Sequence, residues 1–207
     1  MFIFFIKIFS ILIIDLGFSK PTHGSECLIH NKEYSYEYLY QSNDKSTIKE
    51  NALNAYSYPI GKLKDYDTIR WDMIEIFDEN YLLKSIKSSY YLCASNTKHG
   101  SLGSSMTRRI LYTSVSSSYN CIWNIKKVKE DIKNIKKNNR TYLIWNSLYN
   151  EQLYAPTFLF KTNFEKRNIF LWRSKQKDSI SSLVKFSHET DRFKWIIDCS
   201  TGTFLSI

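Results

Sequence analysis

Apolar and polar positions alternate around three tryptophans, in Ile69-Arg70-Trp71-Asp72-Met73, Cys121-Ile122-Trp123-Asn124-Ile125 and Phe193-Lys194-Trp195-Ile196-Ile197. In each, apolar or weakly polar side chains stand two residues before and two after the tryptophan, the spacing that lines one face of a strand. The pattern predicts three half-buried strands, with Trp71, Trp123 and Trp195 as core anchors rather than exposed ring platforms.

Further strands repeat around these anchors. Tyr81-Leu82-Leu83 and Tyr142-Leu143-Ile144 each open a strand, and Leu92-Cys93-Ala94 and Leu153-Tyr154-Ala155 each close its partner; Ala94 follows Tyr81, and Ala155 follows Tyr142, by the same 13 residues. The polar segments between them, 84–89 and 145–150, read as hairpin turns. A basic pair then leads into an apolar strand in each copy, Arg108-Arg109-Ile110-Leu111-Tyr112 and Lys166-Arg167-Asn168-Ile169-Phe170-Leu171-Trp172. The first copy is more divergent, with its hairpin over 28–41, its third strand over 52–58 and its tryptophan strand over 68–76. Unequal spacing between copies places two polar, charged insertions at 126–140 and 174–192, as surface loops.

Only 128–135 has helical spacing, and the Tyr, Ile, Ser and Thr content favours strands. A seven-strand sandwich would also show short strands at regular intervals, but would not predict a threefold pattern. The expected class is all-β: a disulfide-stapled β-trefoil of three four-strand repeats, approximately 27–77, 78–128 and 141–207, forming a single domain over 20–207.

The stretch 1–14 is apolar with one lysine, and is shorter than the roughly 20 residues of a membrane span. Gly17 and Ser19 supply small residues for cleavage before Lys20, so 1–19 reads as a signal peptide and the mature chain as secreted and extracellular. Four cysteines in such a chain suggest two disulfides with three possible pairings. None lies within four residues of another, which removes CxxC spacing and with it a zinc or redox motif. The net charge of +9, from 29 Lys and Arg against 20 Asp and Glu, favours acidic partners such as sulfated glycans.

The run Tyr142-Leu-Ile-Trp-Asn-Ser-Leu-Tyr-Asn-Glu-Gln-Leu-Tyr-Ala155, with Arg167-Asn-Ile-Phe-Leu-Trp172 and Trp195-Ile-Ile197, resembles a repeat of secreted arthropod (insect-type) β-trefoil proteins. More distantly it is similar to ricin-type lectin and fibroblast-growth-factor trefoils. The glutamine that ricin-type lectins carry two residues before the repeat tryptophan is replaced here by Ile69, Cys121 and Phe193, and the sugar-binding set of that family does not map onto this chain. A trefoil fold brings the first and last strands together, which implies a Cys27–Cys199 staple and leaves Cys93 and Cys121 to bridge within the second copy. Against the second bridge, strict alternation sets Cys93 outward and Cys121 on the face of Trp123.

The residues give no support to catalysis. His23, His30, His99 and His188 are scattered, nucleophile elbows and phosphate loops are missing, and acidic pairs such as Asp65/Asp67 are local in sequence. No enzyme activity, metal or cofactor is expected. Trp145 and Trp172 break the threefold pattern and are candidate exposed aromatics, with Tyr149 and Tyr154 in the hairpin of Trp145. Lys126, Lys127, Lys129, Lys133, Lys136, Lys137 and Arg140 place seven positive charges within 15 residues, a candidate anion-binding patch weakened by salt. Asn139 begins a glycosylation sequon at its border. The expected function is recognition of an extracellular glycan, anionic ligand or protein by trefoil loops of a monomeric, lectin-like glycoprotein, with a trefoil-type protease inhibitor as the alternative.

Overall fold

The computed structural model describes residues 24–100, 107–128, 141–156, 161–162, 166–172 and 191–200. The leader 1–19, the sequon at Asn139 and most of both insertions lie outside them.

The described residues are all-β. The strands are β1 (Gly24–Asn31), β2 (Glu37–Lys45), β3 (Ala52–Pro59), β4 (Arg70–Phe77), β5 (Asn80–Ser85), β6 (Tyr91–Gly100) and β7 (Thr107–Ser114). They continue with β8 (Ile122–Lys127), β9 (Thr141–Asn146), β10 (Glu151–Tyr154), β11 (Lys161–Thr162), β12 (Lys166–Asn168), β13 (Phe170–Trp172) and β14 (Lys194–Ser200). Six of them close an antiparallel ring in the order β1, β4, β5, β8, β9, β14 and back to β1. The pairs β2/β3, β6/β7 and β10/β13 meet at one another through β3–β7, β7–β13 and β3–β12 contacts.

Alternation explains which side chains fill the ring. β5 buries Tyr81 and Leu83 while Leu82 and Lys84 are partly exposed, and β8 buries Trp123 and Ile125. Trp71, Trp123 and Trp195 are all fully buried. Each indole donates to a leucine carbonyl of the neighbouring hairpin: Trp71 to Leu39 at 3.0 Å, Trp123 to Leu92 at 2.9 Å and Trp195 to Leu153 at 3.1 Å. A buried indole N–H without an acceptor is costly, so this bond fixes where each tryptophan can sit.

Disulfides join Cys27 to Cys199 and Cys93 to Cys121. Strict alternation fails to describe the second pair, for two reasons. Cys121 closes a short 3-10 turn, Tyr119–Cys121, and so escapes the strand period of Trp123. Cys93 does face away from Leu92, but that face is also covered: both cysteines pack with Ala52 and Tyr112 in a small cluster separate from the main core.

One arginine of each basic segment is buried in an ion pair. Arg167 grips Glu37 with two bonds, 2.6 Å from Nε to Oε2 and 2.8 Å from Nη2 to Oε1, and donates to the Pro156 carbonyl at 2.6 Å. Tyr34 lies 3.5 Å from its guanidinium carbon. Arg109 forms a looser counterpart, its Nε 2.9 Å from Glu151 Oε2 without hydrogen-bond geometry, its Nη1 donating to the carbonyls of Ser95 and Asn96, and the Tyr149 ring 3.6 Å from its guanidinium carbon. All four charged side chains are buried, where an ion pair depends on how fully its atoms are hydrogen-bonded.

The barrel interior also sets a limit at high pH. Burial, aided by the charges of Glu75 and Glu79, pushes the Tyr81 phenol up to about 12. Its contribution is intact below the ordinary phenol value of about 10 and is lost as pH rises from there towards the folded value. Urea melts are expected to show stability falling over that window, less steeply in Tyr81→Phe; identical slopes for the two proteins would contradict this assignment.

Candidate functional site

The register that closes the ring also aligns five residues from five neighbouring strands. Asn80 of β5 faces Asn124 of β8, which faces Trp145 of β9, which faces Gln152 of β10, which faces Trp172 of β13. Directly paired residues share a sheet face. Their sequence neighbours Tyr81, Trp123, Ile144, Leu153 and Leu171 are fully buried, so the row lies on the outer face, where all five side chains are partly exposed. Two indoles are therefore set two strands apart, about 10 Å, with an amide between them.

At the Trp145 end the row forms the wall of an open groove of about 430 Å³, with Lys126, Asn146, Ser147 and Asn150 completing it. The turn after β9 builds the far side. Asn150 adopts φ 49°, a left-handed conformation that asparagine accepts more readily than most residues. Its N–H donates to the Asn146 carbonyl at 2.9 Å. The Asn146 side chain donates to the Asn120 carbonyl at 2.8 Å and accepts from the Tyr149 N–H at 3.3 Å, and Ser147 Oγ donates to Asn80 Oδ1 at 2.8 Å. These bonds hold the polar wall in place before any ligand arrives. Lys126, half-exposed, stands 3.9 Å from the Glu79 carboxylate at the groove's edge. The arrangement offers a flat apolar face, several amides, a hydroxyl and one ammonium, suited to binding a hydroxyl-rich molecule.

The residues singled out by sequence do not form one surface. Trp145 lines the groove and Trp172 ends the row, but Trp172 stacks on Phe193 at 5.3 Å and packs on Tyr154 at 5.2 Å. Tyr154, a candidate ligand contact in the Trp145 hairpin, is 5% exposed because Trp172 and Phe193 cover it. Tyr149 turns away from Trp145 to stack on Arg109. Lys126 and Lys127 are exposed residues of β8 paired with Leu143 and Tyr142, so the insertion begins later than its charge pattern suggests. Lys129, Lys133, Lys136, Lys137 and Arg140 lie outside the described residues. Asn80, Asn124 and Gln152 carried no sequence signal, since only the strand register brings them together.

By sequence, no family model and no curated protein matches the chain. By structure it is similar to a designed threefold-symmetric protein, ThreeFoil, at TM-score 0.52 and 14% identity over 83% of this chain and 96% of that one. It is also similar to a salivary protein of the cysteine- and tryptophan-rich family from Culex, at TM-score 0.54 and 12% identity over 84% and 92%. A ricin B-like lectin from Macrolepiota procera, solved with lactose, matches at TM-score 0.51 and 17% identity over 85% and 96%. The structural neighbours are β-trefoils.

Proposed function

We propose that this chain is a secreted, non-enzymatic β-trefoil of three four-strand repeats that recognises an extracellular glycan at the Trp145 groove. The observation that carries the reading is the pairing of a partly exposed indole with a pre-positioned amide wall. A pyranose presents its C–H face to an aromatic ring and its hydroxyls to amides, and Trp145 with Asn80 and Asn124 meets both needs. The tryptophan strands support the trefoil reading: three tryptophans bond to three leucine carbonyls at corresponding places. Two disulfides favour an oxidising compartment, and the lactose complex of a neighbour shows that a related fold can take a sugar. Lys126 in the groove's lining favours glycans bearing carboxylate or sulfate, with binding that weakens as salt rises.

A glycan array of the mature protein tests the reading, followed by calorimetry on the best ligand. Trp145→Ala and Asn124→Ala are expected to weaken binding at least tenfold, while Tyr66→Ala, on a remote exposed turn, leaves it unchanged. Full affinity in Trp145→Ala, or a blank array across neutral and sulfated glycans, would remove the glycan reading and leave a protein as the partner to seek.

A further inference from the structure

Folding leaves two large apolar side chains in water on either side of one groove: Tyr119 is 78% exposed and Leu148 is 54% exposed. The groove is open, holds about 460 Å³ and is separate from the one at Trp145. Its walls come from turns in all three thirds of the chain. Ile48 and Lys49 belong to the turn between β2 and β3, Ser118, Tyr119 and Asn120 to the connection before β8, and Leu148 and Tyr149 to the turn between β9 and β10. That last turn serves both grooves, since its Ser147 and Asn150 line the one at Trp145. A single apolar residue on a surface needs no explanation, but several brought together and rimmed by polar side chains mark a ligand groove.

The walls are set before any ligand arrives. In the first turn the Ser46 N–H donates to the Ala52 carbonyl at 2.7 Å, and the Ile48 N–H to Ser46 Oγ at 3.2 Å. Asn120 donates to the Ala94 carbonyl at 2.6 Å and to the Tyr112 hydroxyl at 3.0 Å, and the next residue, Cys121, is bridged to Cys93. Tyr149 is held by its ring contact with Arg109 and by its N–H bond to Asn146.

Charge in the groove is one-sided. Among the described residues that line it, Lys49 is the one charged side chain, and no carboxylate faces it there. Its ammonium donates to Ser114 Oγ at 3.1 Å and stands 5.9 Å from the centre of the Tyr112 ring. That hydrogen bond uses one of three ammonium protons. Around this cation, Tyr119 and Leu148 are exposed and Ile48 and Tyr149 are partly exposed, so the apolar seat lies on the open surface rather than in the core.

We propose that this groove binds an amphipathic carboxylate, an aromatic ring carried on a short alkyl chain. The ring lies against Tyr119, Leu148 and Tyr149, where tyrosine rings accept offset or edge contacts. The carboxylate meets the Lys49 ammonium in a charge-assisted hydrogen bond. A cationic amphiphile is rejected by Lys49, and a neutral one keeps only the apolar part of the binding. The volume is in the range of small-molecule sites, about 300 to 1,000 Å³.

Calorimetric titration of the whole protein with 4-phenylbutyrate, and in parallel with the neutral 4-phenylbutanol, tests the proposal. One carboxylate per chain is expected to bind at millimolar concentration, at least fivefold more tightly than the alcohol, and this preference is expected to shrink as salt rises. Lys49→Gln is expected to abolish the preference, and Lys49→Arg, which keeps the charge, to retain most of it. Leu148→Ala is expected to weaken acid and alcohol alike, by at least threefold, and Tyr66→Ala to leave both unchanged. All three positions are exposed, so the variants are expected to fold, which far-UV circular dichroism checks. Absence of saturable 4-phenylbutyrate binding, or an undiminished preference for the acid in Lys49→Gln, would overturn the proposal.

Discussion

Arg167→Ala is expected to destabilise the protein by about 3 to 5 kcal/mol, among the largest effects of any single substitution. The arginine makes two bonds to Glu37 and one to the Pro156 carbonyl, and the Glu37 side chain that it leaves behind is 1% exposed. Ser57, whose hydroxyl donates to Glu37 at 3.3 Å, remains as a neutral partner. Most of the loss comes from the stranded carboxylate rather than from the attraction removed. Replacing both partners by leucine is therefore expected to recover much of it, since a matched apolar pair carries no desolvation penalty. Urea unfolding of the wild type, the single variant and the double variant checks this; a double variant no more stable than Arg167→Ala would contradict it.

Removal of the Cys27–Cys199 bridge, as Cys27→Ser with Cys199→Ser, is expected to cost about 5 kcal/mol in the chain-entropy estimate. Its half-cystines are separated by 172 residues, against 28 for Cys93–Cys121, for which the same estimate gives about 3.5 kcal/mol. The terminal bridge ties β1 to β14, the adjacent strands that close the ring. Denaturant midpoints of the two double-serine variants should fall in that order. A peptide map joining Cys27 to Cys93 or Cys121 would contradict both bridges.

Much of the scaffold was legible because its signals are local. Alternation around Trp71, Trp123 and Trp195 needs only five residues to be seen, and all three became buried anchors. The Trp145 site was half legible: its indole stood out by breaking the threefold pattern. Its amides did not, because Asn80 and Asn124 join it through the register of strands distant in sequence. Arg109 and Arg167 stood out only as basic residues before an apolar strand, without their partners, for the same reason; Glu37 lies 130 residues from Arg167, and no local pattern links them. Tyr154, a candidate through its place in the Trp145 hairpin, is covered by Trp172 and Phe193, contacts that its hairpin position does not reveal. Cys121 misled because a turn replaces the strand period just before Trp123.

The indole bonds and the arginine clasps divide the labour of assembly. Each tryptophan finds its leucine carbonyl within its own third of the chain, while Arg109 reaches Glu151 and Arg167 reaches Glu37 across the boundaries between thirds. A third that collapses early around its tryptophan still carries an uncompensated arginine or glutamate at a position meant for the interior. Partial structures are thereby penalised until a neighbour arrives, so the clasps act as checkpoints that favour one cooperative transition over three separate ones.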